Sequence, residues 1–276
     1  MQTEIEILAL LLTLCAAGAV AGLTSGLFGN GGGFVVVPAL LAVFPAFNAP
    51  DPNLVYLAIG TSLATIIISS GRAVQAHHAH GAVDFGVLRD WAIWLIIGVT
   101  IGLWIATLTD GRRLIGVFAA GVLVYSLYFL FPSALRHLKP RVQMPTGAAK
   151  ASIASFLGGF SALLGIGGGT VTVMTMVICN RPAHQAVATA AGVGFIIALP
   201  GAIGFLLMGM GTTNLPWGSI GFVNIPALIA ICALSVVTAP IGARWAHNLR
   251  EQKLKRYFGI YLVVVSVSMF YKSTTL

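Results

Sequence analysis

The chain has 276 residues, of which 58% are hydrophobic and 8% are charged. This composition excludes an ordinary soluble domain, because too few polar side chains are present to cover a surface that faces water. The net charge of +8 comes from basic residues grouped between apolar stretches and not from a basic stripe studded with aromatic residues, so nucleic-acid binding is not indicated. The sequence therefore predicts an integral membrane protein whose main surroundings are the lipid bilayer.

Apolar stretches without Asp, Glu, Lys or Arg recur along the chain, and the longest exceed the roughly 20 residues that one membrane helix needs. Prolines and glycines mark where these stretches fold back. The prediction is an all-α fold with helical segments at roughly 5–28, 34–47, 55–75, 91–108, 112–132, 149–165, 169–180, 187–208, 222–246 and 255–272. A β-barrel is not indicated, because the uniform apolar runs lack the polar alternation of membrane strands.

The first segment follows Glu4 and Glu6 without a basic leader, so we expect it to be retained as a membrane helix. It runs into a glycine-rich break, LFGNGGGFVVVPAL at 27–40, inside a run that is otherwise apolar enough for a membrane helix. Backbone amides in lipid must be paired, so such a break is tolerated only where protein buries it or a water-filled cavity receives it.

Several motifs occur twice in the same order. They are GNGGG and GIGGG at 29–33 and 165–169, GAVDF and GFVNI at 81–85 and 221–225, and IGLWIA and IGARWA at 101–106 and 241–246. This order predicts two repeats, residues 1–140 and 141–276, because chance gives one glycine cluster more readily than three matches in sequence. Each half holds five predicted segments, an odd number, so the two halves are expected to be inverted in the bilayer.

Basic residues support that inversion. They cluster between the halves and again before the last helix, at Arg136, Lys139, Arg141 and Lys150, and at Arg244, Arg250, Lys253, Lys255 and Arg256. Loops with this excess face the cytoplasm, which places both termini outside. Inverted repeats with interrupted helices are typical of secondary transporters, whose substrate site lies where the two breaks meet.

Each glycine cluster directly precedes a helix, so the unpaired N–H groups and the positive end of that helix point into the break. Two facing breaks predict an anion site that needs little lysine. The predicted substrate-binding residues of the breaks are Asn30, Gly31, Gly32, Gly33, Phe34, Gly167, Gly168, Gly169 and Thr170. For Gly22, Gly26, Gly98 and Gly102 close helix packing is the favoured interpretation. Neither cluster has the pattern of a nucleotide-binding loop.

The two glycine-rich breaks, VPAL at 37–40, GTS at 60–62 and GAVDF at 81–85 together resemble the TauE/SafE sulfite exporter family. The resemblance covers nearly the whole chain. It implies export of small sulfur-containing anions, such as sulfite, sulfoacetate or other organosulfonates, across the bacterial inner membrane. The second half departs from the family pattern, because Thr189 lies between two alanines where GTS is expected and Asn224 replaces Asp84. An asymmetric site follows, with more hydroxyls from the first half.

Polar residues within apolar spans are costly and often mark a substrate pathway. Thr61, Ser62 and Thr189 are candidates for substrate contact, with hydrogen bonding to their own helix as the alternative. Arg72 is a candidate for a two-pronged contact with a sulfonate, and the alternative is that its guanidinium reaches the cytoplasmic interface.

The histidines of QAHHAHG (His77, His78 and His80) are interpreted as a cytoplasmic loop group in preference to a metal site, and the three cysteines as packing residues. No metal, cofactor or catalytic set is predicted, so an enzyme is not indicated. The leading hypothesis is an anion exporter of the inner membrane that works by alternating access. The alternatives are a passive anion channel and a membrane factor of sulfur metabolism without transport. The oligomeric state, a homo-oligomer included, stays open.

Overall fold

The structure, a computed structural model, describes residues 2–46, 51–131, 144–248 and 251–275. These residues form ten α-helices, so the all-α membrane fold is confirmed. The helices are α1 (Gln2–Phe28), α2 (Gly33–Val43), α3 (Asn53–His78), α4 (Phe85–Thr107), α5 (Gly111–Leu130), α6 (Gly147–Leu164), α7 (Gly169–Ile178), α8 (Ala183–Met208), α9 (Ile225–Asn248) and α10 (Glu251–Thr275). A 3-10 turn, Phe44–Ala46, follows α2, and strands β1 (Ser219–Ile220) and β2 (Val223–Asn224) form an antiparallel hairpin before α9.

Each predicted segment corresponds to one helix, but several boundaries were wrong. The fourth helix begins at Phe85 and not at 91, because the Asp84 side chain accepts a hydrogen bond from the Val87 N–H, 3.1 Å away, and caps the helix. The ninth begins at Ile225 and not at 222, because Asn224 caps it through a 2.9 Å bond from the Ala227 N–H. Apolar runs report where a helix crosses lipid, whereas caps decide where the helix itself begins.

In the described residues, six helices are long and apolar enough to cross a membrane: α1 from Leu8, α3, α4, α6, α8, and α9 to Ala246. The helices that follow the glycine breaks are shorter. The 11 residues of α2 and 10 residues of α7 correspond to about 15 Å each at 1.5 Å per residue, roughly half of the hydrocarbon core. The protein is therefore a multi-pass membrane protein with two half-length helices.

The helices pack in pairs, α1 with α9, α4 with α6, α5 with α10, and α3 with α8 at the centre. Glycines allow the closest approaches. A Cβ atom at Gly22 would lie 2.6 Å from the Ser235 carbonyl oxygen, and one at Gly98 would lie 2.0 Å from that of Ser155. Gly26 and Gly102 also lie against backbone of the neighbouring helix. The predicted packing role of these four glycines is confirmed.

Corresponding contacts occur twice at these interfaces. A Cβ atom at Gly102 would lie 2.5 Å from the Gly159 carbonyl oxygen, and one at Gly242 would lie 2.2 Å from that of Leu23. The division at residue 140 stays a prediction.

Some of the basic residues on which the predicted orientation rests lie outside the described residues: Arg136, Lys139, Arg141 and Arg250. The side chains of Lys253 and Lys255 also lie outside them.

Candidate functional site

The two glycine breaks lie against each other. We call residues 29–32 the first glycine loop and residues 165–168 the second. A Cβ atom at Gly33 would lie 2.2 Å from the Gly165 carbonyl oxygen, and one at Gly169 would lie 2.0 Å from that of Gly29. The first residue of each half-length helix thus touches the opposite loop, and only glycine permits this approach. Residues 24–37 and 161–170 are buried throughout, as non-helical backbone in a membrane requires.

Each half-length helix begins after a glycine in the left-handed conformation. Gly32 has φ of 82° and Gly168 has φ of 64°, values that side-chain-bearing residues rarely adopt. These two glycines turn the chain so that α2 and α7 start inside the protein. The first N–H groups of any α-helix lack a partner within that helix, so both starts present donors and partial positive charge at the loops.

Several loop carbonyl groups already have donors. The Gly167 N–H donates to the Asn30 carbonyl over 3.3 Å, which ties the two loops together. The Ser62 hydroxyl donates to the Gly165 carbonyl over 2.8 Å, and the Ser69 hydroxyl donates to the Gly31 carbonyl over 3.0 Å. Three carbonyl oxygens of the two loops therefore already accept hydrogen bonds.

The side-chain donors at the loops are in the opposite situation. Among the described residues, six buried polar groups have no hydrogen-bond partner: Asn30 Nδ2 and the hydroxyls of Ser25, Ser70, Tyr125, Ser161 and Thr170. All six side chains are at least nine-tenths buried, and the Tyr125 hydroxyl lies near that of Ser161. Because burying an unpaired polar group is costly, such a cluster indicates a place that a ligand or water occupies.

Two of these hydroxyls lie directly beside the loops. A Cβ atom at Gly168 would lie 3.0 Å from the Ser161 hydroxyl oxygen, and one at Gly31 would lie 3.3 Å from that of Ser70. The Asn30 side chain is fixed at its other end, because its Oδ1 accepts a 3.1 Å bond from the Gly32 N–H. The amide nitrogen of Asn30 is thus held in the loop with its two hydrogens unused.

The sequence singled out Asn30 but not Ser25, Ser70 and Ser161 as site residues. Ser25 and Ser161 lie 136 positions apart, at equivalent places just before the two glycine clusters. That repeated position was a signal for both hydroxyls. The position of Ser70 relative to the first loop depends on the packing of α3 and could not be read from spacing.

Thr61 and Thr189 are buried, and each hydroxyl accepts a hydrogen bond from the residue that caps a helix of the other half. The Asn224 N–H donates to Thr61 over 2.9 Å, and the Asp84 N–H donates to Thr189 over 3.0 Å. The GTS-like and GAVDF-like motifs therefore meet across the two halves. These threonines hold the starts of α9 and α4, whereas Ser62 touches the second loop directly.

Two other predicted residues take different positions. The Arg72 side chain is exposed, and its guanidinium donates to the Gln75 side-chain oxygen over 2.9 Å, so the structure does not bring it to the buried loops. Phe34 is 1% exposed and packs in an aromatic cluster, with its ring centroid 5.1 Å from that of Tyr125 and 6.3 Å from that of Phe258. Only the backbone of Phe34 remains available to a ligand at the helix start.

The histidines do not all lie in a loop, because α3 continues to His78. His77 is fully buried, with its Nε2 3.0 Å from the Gly26 carbonyl oxygen. His78 is exposed and makes an edge contact with Phe85. Within the described ranges, no group of three His, Cys, Asp or Glu side chains is placed to hold a metal ion.

The electrostatics around the loops come from partial charges. In the part of the chain that the structure describes, no Asp, Glu, Lys or Arg side chain is buried. One described ion pair joins Arg181 Nη1, just before α8, to Asp84 Oδ2, just before α4, over 3.9 Å, and both side chains are partly exposed. The centre of the molecule is thus polar and rich in donors but carries no formal charge from these residue types.

The family model of the sulfite exporter TauE/SafE matches residues 14–269 of the chain. A "Probable membrane transporter protein" of Haemophilus influenzae is 33% identical over 95% of this chain and 98% of that protein. Two more proteins with the same descriptive name are each 26% identical. The match to the Methanocaldococcus jannaschii protein covers 97% of this chain and 98% of that protein. The match to the Bacillus subtilis protein covers 94% of this chain and 97% of that protein. No solved structure matches the chain significantly.

The half-length helices, the interlocked glycine loops and the relatives lead to one assignment. The chain belongs to the TauE/SafE sulfite exporter family and is a multi-pass membrane transporter.

Proposed function

We propose that this transporter exports small sulfur-containing anions, sulfite or organosulfonates, across the bacterial inner membrane by alternating access around the two glycine loops. The family match and the transporter names of its relatives support the general activity. The choice of an anion rests on the chemistry of the loops.

One observation carries this proposal: at the loops, several carbonyl acceptors are paired, whereas buried side-chain donors are not. Ser62, Ser69 and the Gly167 N–H occupy carbonyl oxygens that a cation would need. The amide of Asn30 and the hydroxyl of Ser161 remain without partners. Donors without acceptors suit a ligand that brings its own acceptor oxygens, as sulfite and sulfonates do.

Alternating access is supported by two hydrogen bonds at the starts of α4 and α9. Thr189 accepts from Asp84 and Thr61 accepts from Asn224, and in each case the bond joins one half of the chain to the other. Opening a path to the loops from one side at a time requires that one of these hydrogen bonds break while the other persists. Exchange between two such arrangements is the general behaviour of transporters with inverted repeats.

The test is flux into proteoliposomes that contain the purified protein, measured with sulfite, sulfoacetate and taurine. We expect saturable flux of at least one substrate. The variant Asn30→Asp keeps the acceptor for the Gly32 N–H but removes both side-chain donors and adds a negative charge, so flux should be lost. Asn53→Asp, at the start of α3, is the matched control and should transport normally. Absence of flux with all three substrates from folded protein would contradict the proposal.

The same flux assay separates the proposed transporter from a passive channel and from a sulfur-metabolism factor. A passive channel gives flux that does not saturate. A sulfur-metabolism factor needs a reactive thiol or a metal, but the cysteines lie in separate parts of the chain: Cys15 in α1, Cys179 after α7 and Cys232 in α9. Burial raises the pKa of the Cys179 thiol and so disfavours the thiolate, although the nearby Arg181 opposes this effect. Replacing all three by alanine should leave flux intact, and its loss would favour the thiol chemistry.

The proposed orientation has both termini outside, with Lys150 and Arg181 on the cytoplasmic side. In a variant without native cysteines, Ser273→Cys should react with a membrane-impermeant maleimide added to intact cells. Lys150→Cys should react only after the cells are opened. The reverse pattern would overturn the orientation without affecting the proposed substrate.

A further inference from the structure

The charge available at the glycine loops is small. We infer that the site accepts singly charged oxyanions and rejects doubly charged ones; this inference rests on the proposed function and narrows its substrate class. It would admit hydrogensulfite and simple alkanesulfonates, and it would exclude the sulfite dianion and sulfate.

Formal positive charge is missing where the ligand would lie. Among the described residues no Lys or Arg side chain is buried. Arg72 is exposed and hydrogen bonded to Gln75, and Arg181 is 42% exposed beside Asp84. The buried titratable side chain nearest in sequence to the first loop is His77, whose ring lies against the Gly26 carbonyl. Among the described side chains, none that is cationic is therefore placed to neutralise a bound anion.

Two helix starts provide the positive potential instead. The N-terminus of an α-helix is equivalent to about half of a unit charge. The starts of α2 and α7 meet, since Gly33 touches Gly165 and Gly169 touches Gly29. Together they offer about one unit of positive charge, supplemented by the unpaired donors of Asn30 and Ser161.

This amount matches one negative charge. The cost of removing an ion from water grows with the square of its charge, whereas its attraction to fixed dipoles grows only in proportion to the charge. A dianion therefore has four times the dehydration cost of a monoanion of similar size but only twice the stabilisation. Without a buried cation the second charge is not compensated.

The space beside the loops also favours a compact head group. A Cβ atom at Gly167 would lie 3.1 Å from the Gly194 Cα, 3.2 Å from the Asn30 carbonyl oxygen and 3.4 Å from Ile66. Atoms of α3, α8 and both loops thus converge within van der Waals distance. The room at this point therefore suits a compact head group.

Methanesulfonate and sulfate form a matched pair for the test, because both are tetrahedral sulfur oxyanions of similar size that differ in charge. Flux of each into proteoliposomes containing the full-length wild-type protein should favour methanesulfonate by roughly tenfold or more. Sulfite flux should fall as rising pH converts hydrogensulfite into the dianion. Methanesulfonate flux should stay level over the same pH range, which controls for titration of His77 or any other protein group.

Comparable fluxes of methanesulfonate and sulfate would overturn this inference while leaving the proposed function intact. Absence of flux with methanesulfonate, sulfate and sulfite alike would instead contradict the proposed function. The two failures are thus distinguishable.

A variant tests whether charge is the cause. Thr170→Lys places a cation at the start of α7, at the position equivalent to the large Phe34 in the first half. It should raise the ratio of sulfate to methanesulfonate flux roughly tenfold, whereas the neutral Thr170→Met should leave the ratio unchanged. If the lysine variant transports methanesulfonate but its ratio equals that of the methionine variant, charge does not set the preference.

Discussion

The two glycine loops share one backbone plan but differ in side chains. Gly29 and Gly165 follow the ends of α1 and α6 with φ of 67° and 63°, and each loop contacts the first residue of the opposite half-length helix. Their polar groups differ, because Asn30 in the first loop corresponds to Ile166 in the second. The serines of α3 that reach the loops also have no counterpart on α8, where Ala190 lies beside Gly29.

This difference separates two tasks. The repeated backbone brings the two glycine loops against each other and directs two helix starts inward. Two of the unpaired groups that can orient a ligand, Asn30 in the first loop and Ser70 on α3, have no polar counterpart in the second half. Substitutions of the shared backbone should therefore affect both halves alike, whereas substitutions of polar side chains should affect the halves unequally.

The largest effects are expected at the glycines that touch the opposite loop. Gly33→Ala and Gly169→Ala each place a methyl group about 2 Å from a backbone carbonyl, so the loops must separate. We expect complete loss of transport and a destabilisation of about 1–3 kcal/mol for each, measured by flux and by thermal unfolding in detergent. Gly116→Ala is the control, because its Cβ atom would meet nothing within 4 Å. An active Gly33→Ala variant of normal stability would show that the close contact between the two loops is not required.

The glycines before the helix starts, Gly32 and Gly168, are constrained by backbone conformation in addition to their predicted ligand contact. If these glycines only lined the site, a leucine at either position (Gly32→Leu or Gly168→Leu) would act by filling the space of the anion. The structure shows that a Cβ atom at Gly32 would lie 2.6 Å from the Ala21 carbonyl oxygen, and that both glycines have left-handed φ values. Both variants should therefore lose stability as well as binding, which makes them poor probes of the ligand itself.

The next effect tests the asymmetry directly. Removing the donors of Asn30 by Asn30→Asp should weaken anion binding by roughly ten- to a hundredfold or more, since a hydrogen bond to a charged group contributes about 1.5–3 kcal/mol. The equivalent change in the other loop, Ile166→Leu, should alter binding little. Affinity is measured by ligand-dependent thermal shift with methanesulfonate. Equal losses in the two variants would show that the loops contribute equally.

Much of the architecture was readable from the sequence because it depends on local rules. Apolar runs located ten helices, and adjacent glycines located the breaks. The roles of Thr61 and Ser62 were not readable, because one accepts from Asn224 and the other donates to Gly165, more than 100 positions away in each case. Arg72 was ambiguous for a related reason: its exposure depends on how deep α3 lies among its neighbours.

A smaller effect is expected at the hydroxyl that links α3 to the second loop. Ser62→Ala leaves the Gly165 carbonyl buried without its 2.8 Å donor, at a cost of about 1–3 kcal/mol in unfolding free energy. Ser126→Ala is the matched control, because that buried hydroxyl bonds only to its own helix at Leu123. Thermal unfolding and sulfite flux should both decline for Ser62→Ala relative to the control. A neutral result would indicate that water replaces the lost hydroxyl.

The smallest effect is expected at the start of α4, where Asp84→Asn makes the first half resemble the second. Asparagine caps a helix about as well as aspartate, so the bond from the Val87 N–H should persist. The variant loses only the 3.9 Å pairing with Arg181, and both side chains are partly exposed, so stability should change by less than about 1 kcal/mol. Flux measured over a range of substrate concentrations should show a modest change in KM with little change in the maximal rate. A large loss of maximal rate would mean that the charge at this helix start takes part in opening the path, and that the two halves differ in their motion as well as in their ligand contacts.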